Sequence, residues 1–258
     1  MRAILQTLRE WGSLLALLGA TLARLPHVWR RRESAAEQLF GGAVQVVHVV
    51  LLVGFFAGMI LALQTGIYLA QLGQQDQIGT IVSLSMAREM GPFITAVVVA
   101  ATTGGALAAE LGTMSVSEEL AALEVMSIDR VDFLVLPRVV ALAITCPLLT
   151  IVCDTVGILG GGLVASAQLG VELQLYVQTA VEALQSPGDV VPLPKDVYGG
   201  LLKSVVFGLL IATIACGVGL RTRGGALGVG RATRQAVRDS IIAIIVSNYF
   251  MTSFLYKS

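Results

Sequence analysis

The sequence predicts an all-α, polytopic integral membrane protein with five transmembrane helices plus an N-terminal interfacial amphipathic helix. Of its 258 residues, 55% are hydrophobic and only 13% are charged, and the mean hydropathy is +0.82. A soluble globular protein carries about 25% charged residues. The composition therefore excludes a disordered chain and argues against a soluble enzyme of ordinary type.

Five long apolar runs predict the spans, because a helix needs roughly 20 apolar residues to cross a bilayer core and must satisfy its own backbone there. No charged residue occurs between Glu37 and Asp76, so the first span lies within this stretch. The second run is interrupted by Arg88-Glu89, and the third contains Asp154. The predicted spans are about 41–70, 78–111, 138–167, 200–220 and 239–256.

The first 35 residues form a separate segment. Leucines and a tryptophan recur there at helical spacing, with arginine and glutamate residues off this stripe. The pattern favours a helix that lies in the headgroup plane on the cytoplasmic side. The alternative is a short sixth span over residues 12–29, which would have to accommodate Arg24 and Pro26.

The positions of Lys and Arg predict the orientation. Thirteen of the 17 such residues lie before the first span, between spans two and three, or between spans four and five. Because cytoplasmic loops carry the excess of Lys and Arg, the amino terminus is expected in the cytoplasm and the carboxyl terminus outside.

Several chemistries have no matching pattern in this sequence. The 17 basic residues balance 17 acidic ones, so net charge indicates no nucleic-acid partner. The sequence contains neither a GxxxxGK[ST] loop nor an HExxH motif, and its three cysteines lack ligand spacing. We therefore expect no catalytic residue, metal site or cofactor in this chain.

The segment from Ser115 to Arg130 is amphipathic. Apolar residues at 116, 120, 123 and 126 line one face of a helix, and the glutamates lie off it. Such a helix between two spans can dock by its apolar face into the groove of a partner. Alternatively, it rests on the membrane surface.

The second span contains adjacent charges, Arg88-Glu89, followed closely by Pro92. Charges in a bilayer usually face a cavity or a partner, and adjacent helical residues point about 100° apart, so each needs its own partner. Either the pair belongs to a substrate pathway or it has a structural ion-pairing role. Lys195 and Lys203 would meet a phosphate headgroup or merely snorkel to the interface.

Six linked motifs resemble the MlaE/YrbE permease family, the membrane subunit of MCE-associated ABC lipid transporters. The resemblance covers roughly residues 36–258, which would form an MlaE-type permease domain. The matching motifs are Ala-Arg-Glu-Met-Gly-Pro at 87–92, the glycine- and alanine-rich stretch 104–114, Glu118-Glu119, and the segments 122–129, 134–138 and 200–208.

The resemblance implies a function. Such permeases are homodimers that carry a cytoplasmic ABC ATPase subunit, which binds ATP and Mg, and a periplasmic MCE-domain protein. They move phospholipids or related lipids between inner and outer membranes. The chain would then lie in the cell inner membrane with its carboxyl terminus in the periplasm, and it would not itself be an enzyme.

The resemblance also implies site residues. Its lipid-binding positions correspond to Leu61, Tyr68, Leu69, Leu72, Arg88, Glu89 and Lys203. Its ATPase-coupling helix corresponds to Glu118, Glu119, Leu120, Leu123, Glu124, Met126 and Asp129. Two positions depart from the family pattern and indicate a divergent member or a different cargo: Thr102 stands where relatives often have arginine, and Asn248 where an acidic residue is common.

Two other classes of function remain open at this point. One is an ATPase-independent channel or ion-coupled carrier that uses Arg88, Glu89 and Asp154 as a relay. The other is a structural membrane scaffold whose cytoplasmic helix serves as an adaptor.

Overall fold

The computed structural model describes residues 12, 14, 16–21, 23, 24, 32–185 and 195–256, and these contain helices and no strand. The α-helices are α1 (Arg32–Gln71), α2 (Ile78–Ser85), α3 (Gly91–Val99), α4 (Gly105–Val116), α5 (Glu119–Val125), α6 (Leu136–Gln168), α7 (Leu173–Leu184), α8 (Lys195–Gly219) and α9 (Gly225–Tyr256). The all-α class is confirmed.

Five helical stretches in the described residues are long and apolar enough to cross a membrane, as predicted. They are Ala36–Gln71, Gln75–Val116, Val131–Gln168, Lys195–Gly219 and Gly225–Tyr256. The longest has 42 residues, or about 60 Å of helix, roughly twice the thickness of a bilayer core. The helices must therefore tilt or continue beyond the membrane.

The helices extend past the predicted spans because charge ends an apolar run without ending a helix. The clearest case is α9, which begins at Gly225, although the apolar run predicts a span from 239. Arginines at 231, 234 and 238 lie in its first half. Arginine is a good helix former, so the backbone continues through them.

The predicted N-terminal interfacial helix lies mostly outside the described residues. Within it, residues 16–21 are helical and Arg24 ends a turn. The choice between an interfacial helix and a sixth span stays a prediction.

The second spanning stretch is not a uniform α-helix. Two π-helical turns, Met86–Met90 and Ala100–Gly104, separate α2 from α3 and α3 from α4. A π turn inserts one extra residue and is frequent at functional sites. The first carries Arg88 and Glu89, and the second carries Thr102.

The chain divides into two compact units. The first comprises residues 1–46, 99–145 and 206–250, and the second comprises 47–98, 146–205 and 251–258. In the second unit, α1 and α6 meet backbone to backbone, since a Cβ added to Gly58 would collide with the carbonyl group of Gly157. Small residues at helix crossings are typical of membrane proteins, where close packing drives helix association.

Candidate functional site

A cluster of paired charges in the second unit joins the π turn at 86–90, the start of α8 and the end of α9. The guanidinium of Arg88 binds the carboxylate of Asp196 with two parallel hydrogen bonds, Nε to Oδ1 and Nη2 to Oδ2, the latter at 3.0 Å. Asp196 is almost fully buried, whereas the Arg88 side chain is 41% exposed. The contact is bidentate and charge-assisted, and the arginine remains partly accessible to solvent although the aspartate does not.

Lys203 is the second cation of the cluster, and its side chain is 0% exposed. Its Nζ donates to the carbonyl oxygen of Arg88 at 3.0 Å, to Oε1 of Glu89 at 2.5 Å and to Oγ1 of Thr252 at 2.7 Å. The Thr252 hydroxyl in turn donates to the same Glu89 oxygen at 2.8 Å. An ammonium has three N–H donors, so these acceptors occupy all of them.

Proline explains why Lys203 finds a main-chain acceptor here. In an α-helix the carbonyl of Arg88 would accept from the backbone N–H of residue 92, which is a proline without that hydrogen. The Lys203 ammonium donates to this carbonyl. Gly200 makes the approach possible, because a Cβ at this position of α8 would collide with the carbonyl oxygen of Ala87.

The ring of Tyr256 lies beside both cations. Its centroid is 5.3 Å from Cζ of Arg88 and 5.4 Å from Nζ of Lys203, within the range of cation–π attraction. The cluster holds two cations and two carboxylates, so its formal charges balance. Burying ions costs several kcal/mol each unless they are paired, and here each has a partner of opposite charge.

Three residues of this cluster are among the predicted lipid-binding residues, and the other three are not. Arg88, Glu89 and Lys203 come together, and the two adjacent charges take separate partners, as their directions on a helix require. The sequence did not point to the other three members: Asp196, Thr252 and Tyr256. An aspartate two residues after a proline and seven residues before a lysine is too common a pattern to single out.

Lys195 and Asp154 lie apart from these pairings. Lys195 is half-buried at the first position of α8. Asp154 of α6 packs its carboxyl group against Gly91, where any side chain would collide with it. Its Oδ1 is buried and has no hydrogen-bond partner among the described residues.

The other predicted lipid-binding residues lie on or just after α1. Leu69 is buried and Leu61 is half-buried, whereas Tyr68 and Leu72 are 67% and 71% exposed. The end of α1 therefore presents an apolar surface in the same unit as the charged cluster.

The predicted ATPase-coupling segment lies in the first unit and is not one continuous helix. Glu118 adopts a left-handed conformation with φ of 64°, and only Glu119–Val125 is helical. Glu118 and Met126 flank this short helix, and Asp129 lies beyond it. Because the helix is interrupted at Glu118, the apolar residues do not share one face. Leu120 is buried, whereas Val125 and Met126 are 86% and 60% exposed.

Ion pairs hold this segment at its far end. Arg130 pairs with Glu124 at 3.1 Å, and Asp129 accepts from Nη2 of Arg24 at 2.7 Å. Partial burial raises the pKa of Asp129. Hydrogen bonds from the Val131 N–H and from Arg24 together lower it by more, so the pKa lies below its usual value. The carboxylate stays ionised at neutral pH.

The five apolar helices and their buried charge cluster define an integral membrane protein with the features of a transport protein, because ionisable groups within spans usually mark substrate pathways. A sequence model described as Permease MlaE matches residues 35–254, and the chain belongs to this family.

Named relatives agree with this assignment. A probable ABC transporter permease protein of Rickettsia bellii is 39% identical over 209 residues, which is 81% of this chain and 78% of the relative. One of Synechocystis sp. is 36% identical and covers 88% of this chain and 83% of the relative. The chloroplast protein TRIGALACTOSYLDIACYLGLYCEROL 1 of Arabidopsis thaliana is 36% identical over 89% of this chain, which spans only 62% of its length. The chain is thus an ABC-type permease, a transport subunit whose family implies an ATPase partner.

Proposed function

We propose that this permease moves phospholipids or related lipids between the inner and outer membranes, powered by ATP and Mg bound on a separate ATPase subunit. The observation that carries the proposal is that Arg88, which is partly exposed and paired with the buried Asp196, lies in the same unit as the exposed apolar end of α1. A lipid has one polar and one apolar end, and these two surfaces match them. The lipid in the plant relative's name is consistent with this cargo.

Arg88 is the group that meets the headgroup in this proposal. Its guanidinium fork fits a phosphate as well as it fits the Asp196 carboxylate. A phosphate that displaced Asp196 would leave a buried carboxylate without its cation, which is costly. Lipid binding is therefore favourable only in a state where Asp196 gains another partner or water, and nucleotide binding at the ATPase would select between such states.

Lys203 has a positioning role rather than a ligand role. All three of its donors point at protein acceptors and its side chain is fully buried. It ties α8 to the π turn and to α9, and so fixes the turn that carries Arg88. Leu61, Tyr68, Leu69 and Leu72 would form the wall against the acyl chains.

The cytoplasmic segment would couple the permease to its ATPase. Val125 and Met126 present an exposed apolar surface at the end of the short helix, and Glu118, Glu119 and Glu124 of the same segment are exposed as well. An exposed apolar patch with a polar rim is typical of a protein-binding surface. We further propose a homodimer in the inner membrane, with the amino terminus cytoplasmic, the carboxyl terminus periplasmic and an MCE-domain protein on the periplasmic side.

Reconstitution tests the proposal. The chain and its ATPase are placed in liposomes, and transfer of a fluorescent phospholipid is measured together with ATP hydrolysis. We expect Arg88→Glu to abolish transfer while the complex still assembles, and Lys195→Glu, the matched control, to transfer at the wild-type rate. Wild-type transfer by Arg88→Glu would reject the assignment.

The same liposomes distinguish the alternative, an ATPase-independent channel or ion-coupled carrier. That mechanism predicts ion flux without the ATPase and its loss in Asp154→Asn. The observed pairing argues against a relay, because Arg88 and Glu89 are each held by a protein counter-ion. Lipid transfer that requires ATP, with no ion flux in its absence, would exclude it.

A further inference from the structure

A basic cavity lies in the first unit, at the turn between α8 and α9. Its volume is about 370 Å³. Three arginines from the two sides of the turn line it, Arg221, Arg223 and Arg231, together with one carboxylate, Asp239. The remaining lining residues are Leu14, Val218, Thr222, Gly228, Ala232 and Gln235.

Glycines build the turn that brings these arginines together. Gly224 and Gly225 are both left-handed, with φ of 92° and 65°, a conformation that costs other residues free energy. One turn later, Gly228 packs on the carbonyl oxygen of Arg223, where a Cβ would collide. The guanidinium of Arg231 reaches back over the turn, so that a Cβ on Gly224 would lie 3.5 Å from its Nη2.

Among the described residues, the lining of the cavity holds more cations than acids. It contains three arginines, Arg221, Arg223 and Arg231, against one carboxylate, that of Asp239. The Asp239 carboxylate accepts from the Arg238 guanidinium at 2.9 Å. Leu14 and Ala232 add apolar side chains to the lining.

We propose that this cavity binds a phosphate-bearing anion, either the headgroup of an anionic phospholipid or a free phosphate compound. The planar guanidinium of arginine matches phosphate oxygens with two parallel hydrogen bonds. Basic pockets beside membrane helices on the cytoplasmic side bind anionic headgroups, and the charge distribution of the sequence predicts that side for this turn. None of its lining residues belongs to the charge cluster around Arg88, and the proposal does not depend on the proposed transport function.

The test uses the full chain in nanodiscs of phosphatidylcholine, alone or doped with phosphatidylglycerol. Native mass spectrometry measures the phosphatidylglycerol retained after transfer to detergent. We expect the double variant R223Q/R231Q to bind it at least about tenfold more weakly, because it loses two charge-assisted contacts. The double variant R223K/R231K, which keeps the charge but not the forks, should fall between.

R234Q is the matched control, since Arg234 is an exposed arginine on the same helix that lines a different, mostly apolar cavity. A second arm titrates inorganic phosphate against the lipid-doped discs. Displacement of phosphatidylglycerol by phosphate identifies a site for a free phosphate compound, and retention identifies a headgroup site; both support the proposal.

The proposal is overturned if R223Q/R231Q binds lipid and phosphate like the wild type. It is also overturned if R234Q retains as little phosphatidylglycerol as R223Q/R231Q, because the lipid would then respond to the overall charge of the surface and not to this cavity. It is also overturned if the double variant only reduces co-purification of the ATPase, because the arginines would then contact that partner. The difference in retained phosphatidylglycerol between R223Q/R231Q and its parent should be the same with Arg88 intact and in an Arg88→Glu background. Failure of the transport proposal, which is read from Arg88→Glu alone, would therefore be seen separately.

Discussion

The charge cluster of the second unit and the ion pairs of residues 118–130 in the first unit differ in burial. In the second unit, Lys203 and Asp196 are buried and every charge of the cluster has a fixed counter-ion. In the first unit, the pair Arg24–Asp129 has side chains 34% and 47% exposed, and Arg130–Glu124 is similarly open. Burial makes loss of a partner expensive in one unit, whereas water can replace it in the other. The contribution of an ion pair to the stability of this protein therefore depends on how far its side chains are buried, and not on which residue types form it.

The largest effect should come from Lys203→Met. It removes the ammonium from the Glu89 carboxylate, which is 33% exposed and keeps the Thr252 hydroxyl, and from the Arg88 carbonyl. We expect a loss of about 3–5 kcal/mol in the free energy of unfolding, measured by thermal denaturation in detergent. The double variant Lys203→Met/Glu89→Gln should recover part of it.

Lys195→Met is the control for that variant, since Lys195 lies at the start of the same helix and is half-buried. It should change stability by less than about 0.5 kcal/mol. Equal losses in the two lysine variants would contradict the idea that the buried contacts of Lys203 give it a larger role in stability than Lys195.

The next largest effect should follow Gly200→Ala, because the new Cβ meets the Ala87 carbonyl oxygen and the backbone of α8 must move away from the π turn. Overpacking of this kind costs about 1–3 kcal/mol. The comparison is Gly41→Ala in α1, where no atom lies within 4 Å of the added Cβ. If both alanines are tolerated equally, the close approach does not hold Lys203 in place.

Asp196→Asn should have a smaller effect than Lys203→Met. The partner it releases, Arg88, is 41% exposed and can be hydrated, so we expect a loss of about 1–2 kcal/mol. The same variant should retain more phospholipid in native mass spectrometry, because Arg88 no longer has a competing carboxylate. Reduced lipid retention would show that Asp196 helps to form the lipid site instead of competing for it.

The smallest effect should come from Asp129→Asn in the first unit. Since the folded pKa of Asp129 lies below its ordinary value, its carboxylate stabilises the fold above about pH 4, and this contribution is lost as the pH falls towards the folded pKa. The exposed pair with Arg24 should be worth less than about 1 kcal/mol. Unfolding of both proteins between neutral and acidic pH tests this: their difference should vanish in acid and shrink in high salt.

The sequence predicted the parts that depend on local chemistry. Apolar runs predicted five spans, and the impossibility of pairing Arg88 with its neighbour Glu89 predicted separate partners. The coupling segment was less predictable. Its helical period from 116 to 126 ignores the left-handed Glu118, so the expected apolar face is divided between buried Leu120 and exposed Met126.

By itself, the sequence determined the all-α membrane fold and the family, because hydropathy and motif order are local properties that lipid makes unusually strict. Only the tertiary structure decided which polar side chains meet: Asp196 with Arg88, Thr252 with Lys203, and three arginines that line one cavity at a glycine turn. These contacts join positions far apart in the chain or reverse its direction. Their free energy comes from burial and geometry that no window of sequence contains.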